Sequence, residues 1–129
     1  MRIEKIAEEK YTEIKLLEEK LDSRLSPELK GELIVLNTNG AKNIILNLKE
    51  VKYADSSGLS AILTGNRLCQ SAGGTFVLSN LSDHIKKLIK ISHLENVLTI
   101  VPTAEEAREA IFMDEIEREL NEQEEQDAQ

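Results

Sequence analysis

Asp55, Ser56, Ser57 and Gly58 are the residues whose types and spacing could do chemistry. They stand in "YADSSGLS", between an apolar run, "NIILNLKEV", and a helical one, "LSAILTGNRLC". Two hydroxyls beside a carboxylate at the start of a helix admit three uses. The first is structural, because Asp, Ser and Gly are ordinary capping and turn residues. The second is nucleophilic attack, which demands a base and an oxyanion hole. "DSSGL" lacks the G-x-S-x-G elbow, and nothing brings the two histidines, His84 and His93, to either serine. The third is phosphate acceptance, since free N–H groups and the dipole at a helix start tolerate added negative charge. About two units of new charge there would disrupt a partner laid over the helix end. Capping and phosphate acceptance both stay open on these residues alone.

Other chemistries find no residues to carry them. There is no G-x-x-x-x-G-K-[ST] loop for nucleotide phosphates, and "SAGGT" has its glycines without the Lys, so it reads as a helix stop. One Cys and two isolated His give none of the paired spacings of zinc sites, so neither a metal nor a cofactor is expected. Aromatics make up 3% of the 129 residues, too few for a platform on which bases stack. The net charge is −8, but Asp114–Gln129 alone holds eight acids against one Arg, so the body is nearly neutral and the acidity is a tail. No basic stripe suits a phosphate backbone, and nucleic acid is not expected as a partner. No apolar stretch approaches the roughly 20 residues that span a bilayer, so direct membrane insertion is not expected. Cys69 cannot form an internal disulfide, and no basic start with an apolar run marks the chain for export; a cytoplasmic location is the expectation.

The elements that must position the junction follow from periodicity. Met1–Leu21 reads as two short strands, with "YTEIKLLEEKL" alternating. In "SPELKGELIVLNTNG", Ser26 can cap, Pro27 suits a first helical turn, and Leu29, Leu33 and Leu36 share one face before Asn39-Gly40. Ile44–Leu48 is short and densely apolar, as a central strand covered on both faces would be. Leu59, Ile62, Leu63 and Cys69 fall at helical spacing up to Gly73-Gly74. "TFVLS" and "VLTIV" are strands either side of a helix through "DHIKKLIKI" that Ser82 can cap. Thr103 and Glu106 have the capping-box spacing that opens a last helix. This alternation predicts an α/β domain with a mostly parallel central sheet, an antiparallel N-terminal strand and about four helices. Residues 1–112 are expected to form it. Residues 113–129 are expected to be an acidic C-terminal tail in which Ile116 and Leu120 keep helical spacing before order is lost, serving as a solubilising end or a contact for a basic partner.

"NLKEVKYADSSGLSAIL" closely resembles the signature of STAS domains, in particular the bacterial anti-sigma factor antagonists. The likeness extends from about Met1 to Ala110, including "AGGTFVLSNLSDHIKKLIKISHLENVLTIV" and a closing helix. The resemblance implies a non-enzymatic switch. The unphosphorylated protein binds an anti-sigma factor that is also a serine kinase and so frees the sigma factor; phosphorylation of one serine inactivates it, and a phosphatase resets it. By position the acceptor is Ser57, with Ser56 the alternative. The partner surface it implies is Asp22, Asp55, Ser56, Ser57, Gly58, Leu59 and Ser60. Asp55 would shape the loop, Gly58 would permit close backbone approach, and Leu59 would anchor the helix in the core. Where the family often has Gly-Glu-Leu-Asp, this chain has Glu19-Lys20-Leu21-Asp22, so only Leu21 and Asp22 carry over. STAS domains also serve as scaffold subunits in stress-signalling complexes and lipid-transport machines, which is the alternative function.

Overall fold

A computed structural model describes residues 1–128. The sheet grows outward from β4 (Ile44–Asn47), in which every residue is buried. β2 (Thr12–Leu16) and β6 (Phe76–Ser79) pair with it in parallel, Thr12 opposite Ile44 and Ile44 opposite Phe76. β1 (Ile3–Ala7) adds antiparallel to β2, and β7 (Thr99–Val101) adds parallel to β6, giving the order β1-β2-β4-β6-β7. The strand expected over "VLTIV" is shorter than its apolar run. Val97 is exposed in the turn after the third helix, where His93 takes a left-handed φ of 58°, although Leu98 already points into the core.

From β2 onward the strand order advances in one direction, so right-handed crossovers put their helices on one face of the sheet. α1 (Ser26–Thr38), α2 (Ser56–Ser71) and α3 (Asp83–Ile91) do lie together there. Leu29, Leu33, Ile62, Ile85 and Ile89 close over Ile14, Leu16, Ile44, Leu46 and Leu78 in one core. Cys69 is part of it, and burial pushes its thiol up to about 12. The opposite face is left to α4 (Ala104–Asp127), whose Ala107 and Ile111 cover Ile45 and Val77. The caps of α3 and α4 are those the spacing predicts, Ser82 accepting the Ile85 N–H and Thr103 accepting the Glu106 N–H.

α1 begins differently. Its N-cap is Leu25, which makes no side-chain cap, and Ser26 is already helical. The Asp22 carbonyl accepts from Leu25 N–H, Ser26 N–H and the Ser26 hydroxyl, so the turn before the helix is closed by a backbone oxygen. Ser26 is therefore turned inward, 2% exposed, and not out over the helix end.

α4 shows no break at residue 113. It continues through the acidic run, and side chains beyond that point bond to the body. Asn43, itself 2% exposed, donates from Nδ2 to the Lys10 carbonyl and to Glu115 Oε1 at 2.9 and 2.8 Å, while its Oδ1 accepts from the Thr75 N–H. Thr75 Oγ1 donates to Asp114 and accepts from Arg118, and Lys42 pairs with Glu115. The folded body thus reaches Arg118; Gln129 of the expected tail lies outside the described residues. Asn43 joins the β1–β2 connection, the start of β6 and α4. Replacing it by Ala strands the Thr75 N–H, and Asn43→Ala should destabilise the protein by about 1–3 kcal/mol. A lower urea midpoint with an unchanged slope is the expected reading.

Candidate functional site

β3 (Lys20–Leu21) and β5 (Tyr53–Ala54) are two-residue strands, each followed directly by an Asp. They pair in parallel, Leu21 opposite Ala54, so Asp22 and Asp55 leave the pair side by side. The pairing is extended by Asp55 N–H donating to the Leu21 carbonyl at 3.3 Å and by the Lys52 and Tyr53 N–H groups donating to the Glu19 carbonyl. From this shared edge one chain turns into α1 and the other into α2. The two helix starts meet.

Asp55 is the N-cap of α2. Its Oδ1 accepts the N–H groups of Ser57 (2.9 Å) and Gly58 (3.1 Å) and the hydroxyl of Ser57 at 2.5 Å. The Ser57 hydroxyl is the main reason its carboxyl is held below the ordinary aspartate range, aided by the Gly58, Ser57 and Ser23 N–H groups and opposed by partial burial. Asp22 is also held low, chiefly by the Arg24 guanidinium, with the Asp55 charge opposing. Ser26 Oγ lies 3.1 Å from Ser57 Oγ and donates to the Asp22 carbonyl at 2.7 Å. Each hydroxyl has one proton to give. With the Ser26 proton on the Asp22 carbonyl and the Ser57 proton on Asp55, the Ser26–Ser57 pair is a close approach of two oxygens with no proton of its own, and it is where the starts of the two helices meet.

The other predicted residues surround this chain. Ser56 is exposed and its hydroxyl makes no hydrogen bond among the described residues. Gly58 is pressed against β3: a Cβ there would overlap the Leu21 carbonyl oxygen and sit 2.9 Å from Leu21 Cγ. Leu59 is buried in the core, and the Ser60 carbonyl accepts the Thr64 hydroxyl within α2. His84 does not touch either serine. Its Nε2 is 3.3 Å from the Ala54 carbonyl and its ring lies on Tyr53, centroids 4.8 Å apart, while His93 is exposed. The residue that sequence reasoning missed is Ser26. Its "LDSRLS" context does repeat the pattern of an Asp followed closely by serine at a helix start, which is the signal that could have found it.

The arrangement is thus a polarised serine hydroxyl at a helix start, at the edge of an α/β domain. The family model of the STAS domain matches residues 5–107, and the chain belongs to that family. It is similar to the anti-sigma-B factor antagonist of Staphylococcus aureus (strain NCTC 8325 / PS 47), 32% identical over 101 residues that cover 78% of this chain and 92% of that protein. Among solved structures it shares the fold of a putative anti-sigma factor antagonist from Thermotoga maritima, with a TM-score of 0.75 at 22% identity, covering 84% of this chain and 93% of that one. It also shares the fold of the Bacillus cell fate determinant SpoIIAA in its phosphorylated form, with a TM-score of 0.67 at 23% identity over 85% of this chain and 99% of that one. Among the described residues no helix is long and apolar enough to cross a membrane.

Asp55→Ala removes the cap of α2 and should cost about 0.5–2 kcal/mol at neutral pH. Because the carboxyl of the folded protein is held low, its contribution is complete above the ordinary aspartate range and is lost as pH falls through the lowered value. Urea midpoints of wild type and Asp55→Ala measured from neutral to strongly acidic pH should therefore converge on acidification. A gap that persists in strong acid would mean the carboxylate charge is not what the cap uses.

Proposed function

We propose that this STAS domain is an anti-sigma factor antagonist, a regulatory protein and not an enzyme, switched by phosphorylation of Ser57. In its unphosphorylated form it binds an anti-sigma factor that is also a serine kinase and frees the sigma factor. Phosphate on Ser57 ends that binding, and a phosphatase restores it. The observation that carries the reading is the Ser57 hydroxyl, bonded to Asp55 and in contact with Ser26 where two helices start. An ester at that oxygen has no proton left to give Asp55, and its charge would stand against both Asp55 and Asp22. The phosphate would thus alter the surface in shape as well as in charge. The names of the Staphylococcus protein and of phosphorylated SpoIIAA support the same reading.

Exposure favours Ser56 as the alternative acceptor, since its hydroxyl is free while that of Ser57 is half-buried. A phosphate on Ser56 would leave the Ser57–Asp55 bond in place and add only charge. Purified protein incubated with ATP and a candidate anti-sigma kinase, followed by mapping of the phosphate by mass spectrometry, separates the two. The expected label is on Ser57. Ser57→Ala should bind the kinase and stay unlabelled, and Ser57→Asp should bind it about tenfold more weakly, or about 1.4 kcal/mol. A label on Ser56 transfers the switch to that residue. Equal binding by all three proteins, or no label from a kinase active on a control substrate, would sink the assignment and favour a permanent scaffold role.

A further inference from the structure

The far end of α4 carries an apolar stripe that the fold does not use. Met113, Ile116 and Leu120 are 64%, 50% and 59% exposed, and Phe112 beside them is only partly covered by an edge contact with Tyr11, ring centroids 6.2 Å apart. At about 100° per residue the first three fall within about 60° of one another on the helix, opposite Ala107 and Ile111, which hold α4 on the sheet. Their spacing of three and four residues is that of a heptad seam. Every residue from Glu119 to Ala128 is exposed, and beyond Arg118 no side chain of the described residues is hydrogen-bonded or ion-paired to the body. Helices of this length gain little stability without packing. This one has a seam and nothing on it.

We infer that this stripe is a docking seam for a basic amphipathic helix of another protein. The choice of occupant rests on charge. Glu117 and Glu124 flank the seam on one side and Glu119 on the other, and Arg118 is turned back to Thr75 and Glu115. Flanking positions of a helix pair select the partner by charge. A second copy would set Glu against Glu in either orientation, and an anionic lipid surface would meet the same repulsion. A helix with Leu or Ile on its seam and Lys or Arg beside it answers both the apolar and the charged parts. The seam lies on the opposite face of the sheet from α2 and is tied down near the start of β4 and β6, whereas Ser57 lies beyond their ends. The inference is thus independent of the serine switch.

The probe is a fluorescent synthetic helix with Leu at its two seam positions and Lys or Arg at the flanks, titrated with the full chain by anisotropy. Two control peptides keep the flanks but carry Ser on the seam, or keep the Leu seam but carry Glu on the flanks. Both controls should bind at least tenfold more weakly. So should the probe toward the double variant Ile116→Ser, Leu120→Ser, which keeps every charge and whose circular dichroism verifies the fold of the domain. Undiminished binding by the double variant would reduce the effect to charge alone and overturn the inference. Sedimentation showing a dimer that the double variant loses would make a second copy the occupant, and flotation with phosphatidylcholine vesicles that it loses would make it a membrane; either result overturns the inference too.

Discussion

The pairing of β3 with β5 is the constraint on which the site depends. Two residues of each strand, aligned in parallel, set the exits toward α1 and α2 next to each other. Everything local follows from that proximity. Gly58 has to lack a side chain because α2 starts against the Leu21 carbonyl, and Ser26 reaches Ser57 because α1 starts beside it. Such short strands contribute little cooperative pairing of their own. They are held by their burial at Leu21 and Ala54 and by the helices they feed, so the pair and the two helix starts stand or fall together.

The larger sheet imposes a second asymmetry. Three crossovers in one direction crowd one face, and a single helix is left to cover the other. That second face is correspondingly more polar. Glu13, Asn47 and Ser79 are buried beneath or beside α4, where Arg108 pairs with Glu13, the Asn47 amide donates to Glu13, and the Asn80 amide donates to Asn47 and Ser79. Every buried side-chain polar atom among the described residues has a partner, which is the condition for such a face to be stable.

What could be read in the sequence were the parts written in local periodicity. The apolar run at Ile44–Leu48, the seams of α1 and α2, and the caps at Ser82 and Thr103 depend on residues within a few positions of one another. Asp55 as the start of a helix was legible for the same reason. The meeting of Ser26 with Ser57 was not: "LDSRLS" marks a second helix start with an Asp and a serine, but 31 residues separate the two serines and nothing local says that the two starts meet. Lys20–Leu21 is too short for alternation to mark a strand. The anchoring of α4 past Met113 was hidden by its chemistry: the ties to Asn43 and Thr75 are polar and long-range, whereas the local sequence there reads as a charge run.

The two tyrosines have a spectroscopic consequence. Tyr53 lies against His84 beside the serine junction, and Tyr11 lies against Phe112 beside the exposed end of α4. The chain has no tryptophan, so phenol emission is not drained by an indole. Each ring is an intrinsic optical reporter for one end of the molecule, and replacing either by Phe would leave the other as a label-free readout of its own surface.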